Sequence, residues 1–198
     1  MRSYDEQAVR ARLARLRRAE RAAFAAACAE RLWPLFVRYA NITGQADPRS
    51  LRTALDDTWR AVQGNEVDLA EAQQVAEGMV PSDEGEWVHE MGYGLHAAAC
   101  VAYAVRTWLT DDPQEAAWAA RQVYEAADHA AQHARPDLDF DLDGPDAERT
   151  LREHPAVQAA LAGIEDDLAA VESADPDSWD GLRKRAEEDG AERARSLS

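Results

Sequence analysis

Three Asp-Pro pairs, Asp47-Pro48, Asp112-Pro113 and Asp175-Pro176, punctuate a chain whose apolar residues recur at three- and four-residue steps. Each pair sets a capping carboxylate before a proline, which suits the first helical position because its missing N–H would be unpaired there anyway. Glu115 follows Asp112 at the spacing of a capping box. Gly144-Pro145 and His154-Pro155 read as further helix starts. No segment alternates β-branched residues as a strand does. The predicted fold is therefore all-α: a single-domain, multi-helix bundle of roughly eight or nine helices. They are placed near 5–20, 22–42, 48–62, 67–78, 87–109, 113–134, 146–152, 155–173 and 176–194. Residues 135–146 read as an acidic loop and 191–198 as a flexible tail.

Chain length and chemistry narrow the function classes. At 198 residues with 46% hydrophobic content, the chain can bury a core without staples. Its net charge of −16 repels a phosphate backbone, so no nucleic-acid partner is expected. A basic protein partner would be attracted instead. No apolar run approaches the ~20 residues that span a bilayer. No apolar h-region follows the arginine-rich N-terminus. The expectation is a cytoplasmic protein with no membrane partner. Cys28 and Cys100 sit in apolar helical patterns, as buried free thiols do in a reducing compartment. Lys184 is the only lysine and alanine is abundant, a usage that suggests a GC-rich bacterial genome.

The apolar stripe of the first helices runs through Val9, Leu13, Leu16, Ala23 and Phe24. Arg10, Arg12, Arg15, Arg17 and Arg18 cover much of the remaining surface, and the acidic remainder of the chain is their natural counter-charge. Pro34 within the second pattern predicts a kink or a helix start. Gly92 and Gly94 predict a close approach by a neighbour, or a local break. Thr43-Gly44 ends the second helix, with glycine in the left-handed cap conformation.

Candidate binding residues cluster early: Glu30, Arg31, Trp33, Asp56 and Trp59. Adjacent helical residues point about 100° apart, so Glu30 and Arg31 cannot pair with each other. Asp56 or Asp57 is the expected partner of Arg31. Such a cluster is either an interhelix ion pair that docks helices or a charged pocket beside Trp33 and Trp59.

The order Phe24, Glu30-Arg31, Pro34, Thr43-Gly44, Leu55-Asp56 and Trp59 resembles the family of uncharacterised bacterial proteins typified by enterobacterial YjaG. Pro81-Ser82-Asp83, Ala99-Cys100-Val101-Ala102, Pro155-Ala156-Val157 and Leu182-Arg183 up to Gly190 resemble its later blocks. The ending at Ala191-Glu192-Arg193 and the insert around 136–146 depart from it. The resemblance implies an all-helical cytosolic protein, a possible homodimer, without an established activity.

Two further features invite chemistry. His129 and His133 are four apart and share a helix face, a spacing that can grip a transition metal. Asp128 or Glu125 could add an oxygen, and His89, His96 and His154 form the pool for a third ligand. Ala130, Ala131 and Gln132 lie between the pair, so the His-Glu-x-x-His pattern is missing. From Asp139 the acidic run mimics the opening of a calcium loop, but Thr150 stands where the bidentate carboxylate belongs.

Neither a Gly-rich phosphate loop, a nucleophile elbow nor a Cys-x-x-Cys pair occurs, so no cofactor is called for and enzyme is not the default. The favoured reading is a non-enzymatic helical protein that binds a protein partner. The alternatives are a metal-binding bundle using His129 and His133, and a small-molecule binder at Trp33, Asp56 and Trp59.

Overall fold

The structure is a computed structural model that describes residues 1–81, 88–138, 140–173 and 179–196, with backbone alone for 140–143. The Ser82-Asp83 part of the Pro81-Ser82-Asp83 block, Trp87, Asp139, the side chains of Phe140 and Leu142, and Asp175-Pro176 lie outside the described residues. Among the described residues the chain is all-α. Its helices are α1 (Glu6–Leu13), α2 (Arg18–Thr43), α3 (Pro48–Val62), α4 (Ala70–Gly78), α5 (His89–Thr110), α6 (Pro113–Ala134), α7 (Phe140–Glu153), α8 (Pro155–Glu172) and α9 (Trp179–Ser196).

Helix α2 is the axis of the bundle. It packs against α3, α5, α6, α8 and α9. A helix ringed by neighbours cannot be amphipathic, and its residues from Glu20 to Leu32 are all buried. The alanines at 22, 23, 25, 26, 27 and 29 bring the surrounding backbones close, while Phe24, Leu32 and Phe36 fill the spaces between. Each such large side chain, fully buried, contributes roughly 1.5–3 kcal/mol.

Local chemistry sets the boundaries. Asp47 accepts from Arg49 N–H at 3.0 Å and Asp112 from Gln114 N–H at 2.8 Å, as their caps predict. Gly44 closes α2 at φ +65°. Glu115 departs from its predicted role. Instead of completing a capping box it turns to the Arg106 guanidinium, while Thr110 Oγ1 accepts from Asp112 N–H.

The helix expected over 5–20 ends at Leu13, and α2 starts at Arg18 rather than 22. The break is held by Glu20, whose carboxylate accepts from Arg17 N–H and Arg17 Nε, each at 2.7 Å. Pro34 neither starts nor ends a helix, for α2 runs through it. Helix α9 continues to Ser196, so residues 191–196, expected as a tail, are helical. Helix α7 begins inside the expected acidic loop and breaks at Gly144, whose φ of +42° and ψ of −117° suit only glycine.

Of the N-terminal arginines, Arg12, Arg17 and Arg18 pair with carboxylates of the same chain. Arg12 grips Glu172 and Glu165 of α8, and Arg18 and Arg21 pair with Asp111. Cys28 and Cys100 are buried free thiols. Among the described residues no helix is long and apolar enough to cross a membrane.

Candidate functional site

Adjacent on α2, Glu30 and Arg31 are each only 1% exposed, so both charges are desolvated and need partners. The geometry sends them apart. Glu30 receives Arg52 of α3 through two bonds of 2.7 Å, and the Trp59 indole N–H at 2.9 Å. Arg183 of α9 approaches the same carboxylate at 3.2 Å. Asp56 closes the ring, accepting from Arg52 at 2.8 Å and from Arg183 at 2.6 Å. The Arg52 guanidinium lies over the Trp33 ring and that of Arg183 over Trp59, at 5.0 and 5.9 Å from the centroids.

The candidate residues Glu30, Trp33, Asp56 and Trp59 thus meet in one network. Arg31 does not join them. Asp56 and Asp57 were its expected partners, but Asp56 serves Arg52 and Arg183, and Asp57 pairs with Arg60 at 2.9 Å. Arg31 instead reaches Asp167 of α8 through bonds of 2.8 and 2.9 Å, with a third bond to Asp189 of α9. Two guanidiniums lie against the tryptophans where a small ligand was considered, and both oxygens of Glu30 are engaged. This network docks helices; it does not present a free acid or base.

Two glycines make that docking possible. A Cβ on Gly163 would meet Arg31 Nη1 at 2.9 Å, and one on Gly190 would meet the Arg31 carbonyl oxygen at 2.8 Å. Sequence reasoning missed Asp167, Asp189, Arg52, Arg183 and Gly163. Glycine inside a helical pattern was the available signal, since it costs about 1 kcal/mol there and can mark a close packing contact.

The histidine pair acquires a third member. His89 of α5 inserts its ring beside both, stacking on His129 at 4.3 Å and on His133 at 3.7 Å between centroids, nearly parallel to each. The approach needs Gly92, where a Cβ would lie 2.5 Å from the His129 ring; Gly94 likewise accommodates Tyr39. Imidazole lone pairs lie in the ring plane, so stacked rings aim them along parallel planes rather than at one point. His129 Nε2 also donates to the His89 carbonyl oxygen at 3.0 Å. Among the described residues no three His, Cys, Asp or Glu side chains are arranged to hold a metal ion. His96 bonds Gln122 at 2.9 Å, and His154 caps α8.

Burial first, then the neighbouring His129 and His133, pushes His89 down to about 4. His96 is also lowered, chiefly by burial. His89 is accordingly an uncharged ring at neutral pH, and the stack is an aromatic contact between α5 and α6.

A groove of about 260 Å³ separates α3 from α4, with Asp57, Asp68 and Glu71 as its charged lining and the hydroxyls of Ser50 and Thr53 beside them.

A family model described as "Protein of unknown function (DUF416)" matches residues 8–192. The chain belongs to the DUF416 family. The crystal structure of a DUF416 family protein from Shewanella baltica OS155 has the same fold, with a TM-score of 0.77 at 16% identity, covering 94% of this chain and 95% of that one. No curated protein matches the chain. Both halves of the buried network, from Glu30 to Asp189, fall within the span that defines this DUF416 member.

Proposed function

We propose that this DUF416 protein is a non-enzymatic, cytoplasmic binding protein that takes a basic protein partner at the groove between α3 and α4. The observation that carries the reading is the lining of that groove, where Asp57, Asp68 and Glu71 are the charged groups. Arg60, bound to Asp57 at 2.9 Å, is exposed and easily exchanged for an incoming cation. A net charge of −16 adds long-range steering of a basic partner. Within DUF416 we place the chain beside the proteins typified by enterobacterial YjaG, on the ordered residues from Phe24 to Trp59; that resemblance supports a bacterial homodimer.

The test measures binding of an oligoarginine peptide to the intact chain while salt rises from about 50 to about 500 mM. The triple variant Asp57→Asn, Asp68→Asn, Glu71→Gln is measured in parallel. Asparagine at 68 retains a side-chain oxygen to accept from Ala70 N–H, the bond that Asp68 makes at 3.0 Å. Binding that weakens steeply with salt, and at least ~10-fold in the variant, supports the groove. Equal binding by the two proteins, or none by the wild type, overturns it.

A further inference from the structure

Around Asp167 and Asp189 more guanidiniums gather than carboxylates. Arg31 and Arg185 both reach Asp167, and Arg31 also takes Asp189. Arg193, one helical turn beyond Asp189, brings another guanidinium to the same place. Its Nη1 is buried and has no hydrogen-bond partner among the described residues. Burial and the neighbouring Arg31 guanidinium push Arg193 down to about 10, against the opposing pull of Asp189 and Asp167. A half-buried cation whose Nη1 lacks a partner, beside carboxylates already bonded to Arg31 and Arg185, can take an anion.

Arg193 also stands at the wall of an open groove. Between α8 and α9 lies a cavity of about 490 Å³ lined by Arg31 and Arg193. One side is Ala156, Ala159 and Ala162, which share a face of α8 and leave it low and apolar. Asp166 and Glu192, both exposed, and Asp189, bonded to Arg31, add negative charge to the lining. The combination discriminates among anions. A cation opposite a short apolar wall suits a carboxylate on a small aliphatic body, whereas the lining carboxylates repel a phosphate dianion about twice as strongly as a monoanion.

We propose that the groove between α8 and α9 binds a small aliphatic monocarboxylate, with Arg193 as its charge partner and the α8 alanines against its hydrocarbon end. This site lies on a different pair of helices from the acidic groove, and either can fail without the other. The carboxylate could be carried by a free organic acid or by a peptide C-terminus.

The experiment titrates the intact protein with butyrate by calorimetry and by amide-resolved NMR. A peptide ending in a free Ala carboxylate, its C-terminal amide, butylammonium and inorganic phosphate are titrated in parallel. Saturable one-to-one binding of butyrate, with shifts confined to α8 and α9, is the expected result. Ala159 is exposed, so Ala159→Trp fills the groove without entering the core, and Arg193→Gln removes the cation. Each should weaken binding at least ~10-fold while the far-ultraviolet spectrum stays unchanged. A peptide that binds better than butyrate, and loses binding as its amide, assigns the site to a chain terminus; the reverse order assigns it to a free acid. Absence of saturation by both carboxylates, equal binding by wild type and both variants, or phosphate binding as tightly as butyrate overturns the proposal.

Discussion

Replacing Asp167 by alanine tests whether the buried pair holds α8 against α2. Asp167 is fully buried, and it supplies two of the three hydrogen bonds that Arg31 makes. The remaining partner, Asp189, is 44% exposed and cannot follow Arg31 into the core. Charge-assisted bonds contribute about 1.5–3 kcal/mol each, and removing one partner of a buried pair costs about 3–5 kcal/mol. For a chain of this size that is a fall of roughly 6–20 °C in Tm. Urea unfolding followed by helical circular dichroism measures the free energy directly, with an unchanged m-value showing that the unfolding reaction is the same. The paired variant Arg31→Met, Asp167→Leu removes both charges and should recover most of the loss. A cost below about 1 kcal/mol, the size of an exposed pair, would refute the reasoning. So would a double variant no more stable than Asp167→Ala.

The histidine stack predicts a pH dependence with a definite sign. Because the folded value of His89 lies near 4 and its ordinary value is 6.5, its contribution is complete above pH 6.5 and is lost as pH falls toward 4. Undiscounted the shift amounts to about 3 kcal/mol; His89 is only half-buried, and screening brings the expected loss to roughly 1–2 kcal/mol. Glu90 opposes the shift and Arg38 adds to it, so the comparison is wild type against His89→Phe from pH 7 to 4.5, in which the variant should lose less; parallel curves would reject the assignment. Two glycines of α9 should respond oppositely to alanine. Gly190→Ala drives a Cβ into the backbone of α2 and should lose about 1–3 kcal/mol, whereas exposed Gly181 meets nothing within 4 Å and should gain about 0.5–1 kcal/mol, both read by urea unfolding. Burial pushes both thiols up, so Cys28 and Cys100 should resist alkylation until denaturant is added, and reducing agent should leave Tm unchanged.

Much of the fold was legible because it is written in local chemistry. Asp47, Asp112 and Gly44 announce helix ends through backbone groups that lie a few residues away. The position of the gap between α1 and α2 was not legible, because Leu13, Leu16, Ala23 and Phe24 carry the apolar period across it; at the break Glu20 reaches back to Arg17. Glu115 has the capping-box spacing, yet the nearby Arg106 is the stronger claim on a carboxylate. At the candidate site the sequence showed that Glu30 and Arg31 must look elsewhere for partners. It could not single out Asp167 or Asp189, 136 and 158 residues from Arg31, among so many carboxylates. For the histidines, four-residue spacing fixes the shared helix face, while the orientation of the ring planes depends on His89 entering from α5.

The adjacent opposite charges of α2 also explain how α9 finds its position. Arg183 meets Glu30 and Asp189 meets Arg31, so two points along α9 are matched to two neighbouring residues of α2. Slide α9 by one turn and Glu187 would face Glu30 while Arg193 faces Arg31. Slide it the other way and Trp179 would face Glu30 while Arg185 faces Arg31. In both slips Arg31 meets a like charge without a replacement bond, whereas an apolar seam of alanines and leucines would tolerate either shift far better. Gly190 strengthens the choice, since in the native register its missing side chain lets α9 come down onto the carbonyls of Glu30 and Arg31. On this argument the polar pairs specify position more than they add stability. Asp189→Arg should then lose clearly more than Asp189→Ala in urea unfolding, because it builds into the native register the repulsion that the slipped ones contain. Equal losses would mean that packing alone sets the register.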